Sequence, residues 1–262
     1  MGSLQGLTEF LPISSSGHLV LVPYVFNWNY QGKAFDVALH AGTAFAIVVF
    51  FWRDWLDIFK KAFSRRARVE GETIKKYPDN ILWQILVASI PAVIVGLLLD
   101  KFAADYLNST LFVTANLALF GILLWYVDKK SKSDLTPQKL TYKKSFLIGL
   151  SQSLALIPGV SRSGITLTAA RWMGMPRAEA ARFSFLLATP TIVGAFLMKI
   201  ATIEKGGLDI TFWLGVIAAT VFGLLAIKFL LNYLKNSDLS IFMWYRIIAA
   251  LIVLGIYLAR LN

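Results

Sequence analysis

The stretch Gln5-Gly-Leu-Thr-Glu9-Phe-Leu-Pro12-Ile-Ser14-Ser15-Ser16-Gly17-His18 lies in an apolar segment, Leu4 to about Phe26, too interrupted to be one helix. Pro12 removes a backbone donor and Gly17 loosens the chain. A second such segment, Ser145 to about Met173, contains Pro158-Gly-Val-Ser161-Arg162-Ser163-Gly164-Ile-Thr166. Non-helical backbone at membrane depth is tolerated only where protein or a water-filled cavity satisfies it. Both segments are therefore expected to be re-entrant pairs of half-helices with the break buried in protein.

The surroundings place them in a membrane. Of 262 residues, 57% are hydrophobic and 16% charged, whereas soluble domains carry roughly a quarter charged residues. Six segments are long and apolar enough to cross a bilayer: about Ala34–Trp52, Ile81–Leu99, Leu111–Val127, Phe183–Ile200, Thr211–Leu234 and Ile241–Ala259. Their ends carry charges or breakers, such as Arg53-Asp54 and Asp128-Lys129-Lys130, and tryptophans suited to an interface. The fold class is thus all-α: a polytopic membrane protein with one integral membrane domain over residues 1–262. The absence of cysteine excludes disulfides, thiolate catalysis and cysteine metal sites. Met1-Gly-Ser-Leu-Gln5 lacks a basic stretch followed by an apolar one, so no cleavable leader is expected.

The two interrupted segments resemble each other. A shift of 147 residues places Gln5 on Gln152, Leu7 on Leu154, Ser14 on Ser161, Ser16 on Ser163 and Gly17 on Gly164. One position further out, Thr43 falls on Thr191. The reading is a duplication into halves of about 1–143 and 144–262, each a re-entrant pair plus three spans. An odd number of spans makes the halves inverted. The connections 53–80, 128–144, 171–182 and 235–240 then lie on one side with 18 Lys and Arg, against five on the other. That asymmetry accounts for the net charge of +11 as topology rather than nucleic-acid binding, and assigns the basic side to the cytoplasm. Arg171, Arg177 and Arg182 are expected to face headgroups there. In inverted repeats, broken helices meet near the midplane and form the site.

The breaks carry the candidate chemistry. Glu9 lies four residues after Gln5, on one helical face, and an intramembrane carboxylate marks function unless it merely anchors the chain at the interface. Ser14, Ser15 and Ser16, with the free amides of the half-helix beginning near Gly17, suit an anion; they also suit a simple helix cap. His18 is close enough in sequence to share a proton with Ser14 or Ser15, whereas His40 reads as structural. Arg162, flanked by Ser161, Ser163 and Thr166, has no carboxylate near it in sequence. It fits a guanidinium fork closing on phosphate oxygens, or a structural pair with Glu9.

These two motifs, with Phe183-Ser-Phe-Leu-Leu-Ala following, resemble the bacitracin-resistance family of undecaprenyl-diphosphate phosphatases over nearly the whole chain. The resemblance implies hydrolysis of undecaprenyl diphosphate to the monophosphate, which recycles the lipid carrier for cell-wall synthesis, in the bacterial cytoplasmic membrane. It also implies a divalent metal and a site open to the outer face. The family's acidic motif maps onto Gln5 and Glu9, its serine and histidine onto Ser15 and His18, and its arginine onto Arg162. The expected catalytic set is Glu9, Ser15, His18 and Arg162. Gln5, Ser14, Ser16, Ser161, Ser163 and Thr166 bind substrate, and Glu9 with Gln5 holds Mg²⁺ or Ca²⁺. Ser15 is the candidate nucleophile with His18 as its proton partner, direct attack by water being left open. The partners are the polyprenyl diphosphate and the bilayer, not nucleic acid, with a homodimer as an open option. The competing reading is a transporter or flippase of polyprenyl phosphate, which would need the same clamp; an anion channel fits Glu9 poorly.

Overall fold

The computed structural model describes residues 1–29, 33–63, 77–99, 109–200 and 210–261. Residues 64–76 of the expected connection 53–80, and the positions of Lys101 and Lys205, lie outside the described residues. Ten α-helices follow in order: α1 Gly2–Phe10, α2 Ser15–Phe26, α3 Lys33–Phe63, α4 Ile81–Leu99, α5 Thr110–Lys130, α6 Tyr142–Gln152, α7 Arg162–Trp172, α8 Arg177–Ile200, α9 Ile210–Tyr233 and α10 Ser240–Ala259. Six of them (α3, α4, α5, α8, α9 and α10) are long and apolar enough to cross a membrane. Together they make an all-helical polytopic membrane protein. Their lipid-facing surfaces stay apolar, with Leu119, Ile217, Leu251 and Trp244 among the exposed large side chains.

Two spans outrun the apolar stretches that announced them. α3 has 31 residues, about 46 Å at 1.5 Å per residue, and continues through Arg53-Asp54. α8 begins at Arg177 rather than near Phe183. The reason is pairing. Arg182 donates to both Asp54 oxygens at 2.7 and 2.8 Å, and Tyr77 donates to Asp54 at 2.7 Å while accepting from Arg182. Burial pushes the Tyr77 phenol up, so it remains a proton donor to Asp54. Asp128 receives the Nε groups of Arg171 at 2.8 Å and Arg177 at 2.9 Å, with the Leu239 amide at 3.3 Å. The expectation that these three arginines face headgroups is therefore corrected: each closes on a carboxylate of another element. Lys129 adds a contact to Asp238 at 2.6 Å. Its hydrogen bond, with the Ser240 amide, holds Asp238 down to about 2. That contribution is present above the ordinary aspartate range and is lost as the pH falls through about 2. All four basic connections are thereby tied together at one end of the bundle.

Both interrupted segments break as their sequences require. The first break follows Phe10 and the second follows a short 3₁₀ turn at Ser153–Leu156. Each ends on a serine with positive φ, Ser14 at 75° and Ser161 at 79°, a conformation that costs a non-glycine residue about 1–3 kcal/mol. The side chain offsets part of that cost by capping the next helix. Ser14 Oγ accepts from the Gly17 amide at 3.2 Å, and Ser161 Oγ from the Gly164 amide at 3.1 Å. α2 has 12 residues and α7 has 11, so each break lies about 16–18 Å from its helix's far end. That length is about half the thickness of a hydrocarbon core roughly 30 Å thick.

Packing follows the same correspondence. α1 lies on α9 as α6 lies on α4, α3 lies on α8, and α5 on α10. These pairs exchange with one another when the halves are swapped, whereas among the described residues α7 packs on α8 without a comparable packing of α2 on α3. Small residues sit at matching positions in the two crossings. A Cβ on Gly149 would overlap the Ala88 carbonyl, and one on Gly2, its counterpart at the 147-residue shift, would meet Ala218 Cβ at 2.8 Å.

Candidate active site

The breaks touch. Ser163 Oγ of α7 donates to the Leu11 carbonyl at 3.0 Å. Across that contact, an Arg162 Nη forms an ion pair with Glu9, although 153 residues separate them. Glu9 ends α1 and is 8% exposed, so it could not remain ionised there without partners. It has four. Beyond Arg162, Ser15 Oγ donates to Glu9 Oε2 at 2.5 Å and Gln5 Nε2 donates to the same oxygen at 3.0 Å. His40 of α3 lies within electrostatic reach. The other Arg162 Nη donates to Thr191 Oγ1 of α8 at 3.2 Å, and the side chain keeps 21% of its surface exposed. A carboxylate, a hydroxyl and a partly free guanidinium thus converge where two helices begin, with the first-turn amides of α2 and α7 beside them.

The expected residues divide into two groups. Glu9, Ser15, Arg162 and Gln5 come together, and Ser16 is half-buried beside them. Ser14, Ser161, Ser163 and Thr166 are buried and hold the breaks' own structure. Ser14 and Ser161 cap helices, Ser163 bonds Leu11, and Thr166 exchanges a 2.5 Å hydrogen bond with Ser184. Both ring nitrogens of His18 have partners other than Ser15. Its Nδ1 donates to the Ser14 carbonyl at 2.7 Å, since a carbonyl only accepts. The neutral ring's Nε2 therefore accepts, from the Tyr245 hydroxyl at 2.7 Å, and the two rings stack at 5.6 Å. The proton partner that Ser15 finds in this conformation is Glu9.

The sequence reading gave no site role to Tyr245, Thr191 or Arg246, and read His40 as structural. Arg246 is fully buried and donates to carbonyls of both breaks, at Pro12 and at Gly159 and Val160. Its place within an apolar span was the available signal, by the same rule that singled out Glu9 and Arg162.

A divalent cation at Gln5 and Glu9 can be tested against the donors present. Gln5 is 0% exposed and its Oε1 has no hydrogen-bond partner, a hard oxygen left available. Among the described residues, no group of three His, Asp or Glu converges to hold a metal. The donor set fits a hard cation that takes one carboxylate and completes its shell from water and substrate oxygens.

Fold and site together define a class: a multi-span membrane protein in which a carboxylate, a hydroxyl and a guanidinium converge where two broken helices meet. The family model described as Bacitracin resistance protein BacA matches residues 1–252, and the chain belongs to that family. It is 43% identical over 260 residues to the undecaprenyl-diphosphatase of Pelotomaculum thermopropionicum, covering 99% of this chain and 96% of the relative. The undecaprenyl-diphosphatase of Moorella thermoacetica is 41% identical over 260 residues, covering 99% and 97%. That of Desulforudis audaxviator is 43% identical over the same length and shares.

Proposed function

We propose that this chain is an undecaprenyl-diphosphate phosphatase, releasing inorganic phosphate and the lipid monophosphate within the membrane. The carrying observation is the Arg162–Glu9–Ser15 constellation, in which each break supplies what the other lacks. A diphosphate entering the site competes with Glu9 for Arg162, whose fork suits two phosphate oxygens. Released from the guanidinium, Glu9 becomes more basic and takes the Ser15 proton already directed at it. Ser15 Oγ then bonds to the terminal phosphorus as the bridging P–O bond breaks and the lipid monophosphate leaves. Glu9 passes that proton to the departing lipid phosphate; water then attacks the phosphoserine, Glu9 taking its proton and returning it to Ser15 Oγ as inorganic phosphate leaves. Such chemistry rests on positioning and charge stabilisation more than on covalent activation by protein groups. Ser16 and the amides opening α2 and α7 bind phosphate oxygens, while His18, held by Tyr245, supplies a second proton-exchanging group beside the break.

Glu9 and Gln5 would also hold a divalent metal, Mg²⁺ or Ca²⁺, through their side-chain oxygens. When bound, the cation neutralises charge building on the phosphate oxygens. The halves 1–143 and 144–262 are inverted repeats in a bacterial cytoplasmic membrane, with the basic end inside and the site open outward. A flippase of polyprenyl phosphate is the second reading, favoured by the meeting of two broken helices in one site. One assay separates them: phosphate release from undecaprenyl diphosphate by detergent-solubilised protein, with and without chelator. The enzyme releases phosphate, loses activity with chelator, and acid-quenched turnover leaves phosphate on the peptide carrying Ser15. A protein releasing none is a transporter.

A further inference from the structure

Resting on the phosphatase reading, we propose that Arg246 is a positioning residue for the reaction, fixing the spacing between the two breaks so that Ser15, Glu9 and Arg162 align. Arg246 lies within α10 and is 0% exposed. Its Nε donates to the Leu117 carbonyl at 2.7 Å, and Nη1 to Pro12 at 3.4 Å. Nη2 donates to Gly159 at 2.8 Å, Val160 at 3.2 Å and Asn116 at 3.4 Å. Every partner is a backbone carbonyl. By contrast, Arg162, Arg171, Arg177 and Arg182 each close on a carboxylate.

The partners explain the role. Pro12 belongs to the first break, and Gly159 and Val160 to the second, where carbonyls have lost helical partners inside a membrane. Each would be costly if left unpaired. Asn116 and Leu117 tie the same guanidinium to α5, a continuous span. Because the donors form one rigid plane, satisfying both breaks from a single fork also fixes their separation. Ser15 starts the helix three residues after Pro12, and Arg162 starts its helix two residues after Val160. A shift between the breaks is thus a shift between nucleophile and clamp, and a displacement of about 1 Å is enough to cost roughly 100-fold in rate. Gly121 of α5 makes room for this arrangement: a Cβ there would lie 3.1 to 3.3 Å from Arg246 Cβ, Cδ and Nε.

The test compares the full-length parent with Arg246→Lys and Gly121→Ala, purified in detergent and supplied with Mg²⁺ and undecaprenyl diphosphate. Lysine keeps the charge but loses the planar fork, and kcat is expected to fall about 100-fold with KM within about threefold of the parent. Gly121→Ala leaves every charge in place and presses on the arginine stem; kcat is expected to fall several-fold at unchanged KM, with the melting temperature within a few degrees. A folded variant of either kind with parental kcat, or one whose loss lies wholly in KM, overturns the proposal. Should Arg246→Lys fail to fold, Gly121→Ala decides. A parent that releases no phosphate overturns the phosphatase reading instead, so the two failures are distinct.

Discussion

Glu9 is the residue on which the site turns, because it is held by groups that do different work. Arg162 neutralises it, Ser15 gives it a hydroxyl proton, and Gln5 orients it. In the proposed reaction, a phosphate drawing Arg162 away raises the carboxylate's basicity when a base is needed. Arg162 must therefore release one acid and grip another, which a planar fork does and a flexible ammonium does not. Arg162→Lys is expected to lower kcat/KM by about 10- to 100-fold, the worth of a charge-assisted bidentate contact. Steady-state phosphate release checks this, and turnover within a fewfold of the parent would remove Arg162 from the clamp. Sequence spacing made His18 the neighbour of Ser15. Helix geometry instead turned its ring toward the Ser14 carbonyl and, across the fold, toward Tyr245.

At the scale of elements, broken helices are expensive, and the chain offsets them from both sides. Serine caps stabilise the starts of α2 and α7, and a guanidinium takes up carbonyls from both breaks. The ends of the long helices are tied by a different device, buried carboxylates that each gather several donors. Asp128, 2% exposed, joins α5 to the end of α7, the start of α8 and the approach to α10. Removing that charge strands Arg171 without a counter-ion in a buried position. Asp128→Asn is accordingly expected to destabilise the fold by about 3–5 kcal/mol. Thermal unfolding in detergent reads this as a lowered melting temperature, and a parental value would mean the carbonyls at Ser131 and Met175 hold Arg171 unaided.

For the whole molecule, the ion pairs and the breaks impose one orientation on ten helices. Asp54, Tyr77, Asp128, Lys129, Arg171, Arg177, Arg182 and Asp238 gather at one end. At the other end, Arg260 closes on the Tyr24 carbonyl at 2.7 Å, joining the tails of α10 and α2. The parent contains no cysteine, so single cysteines report sidedness directly. Asn29 and Lys132 are exposed at opposite ends. Asn29→Cys is expected to react with an impermeant thiol reagent in intact cells, and Lys132→Cys only after the cells are opened. Labelling of both from one side would break the topology, and with it the outward opening of the site.

Most of the architecture was legible in the residues themselves, for a physical reason. In lipid every backbone group needs an internal partner, so apolar length marks spans, and a proline followed closely by serines and a glycine in an apolar segment marks a break. The six spans and the two breaks follow from local composition, which also singled out Glu9 and Arg162 as charges needing a partner. What the sequence left open was which groups face each other, since that depends on contacts between residues more than a hundred positions apart. Arg162 meets Glu9, His18 meets Tyr245, and Arg246 meets both breaks only once the helices pack. The same holds for Arg171, Arg177 and Arg182. Their charge assigned them to the water side of the membrane, and only the position of Asp128 and Asp54 on neighbouring helices decided that they are held within the protein. Solvent preference is a property of the side chain, whereas its partner is a property of the fold.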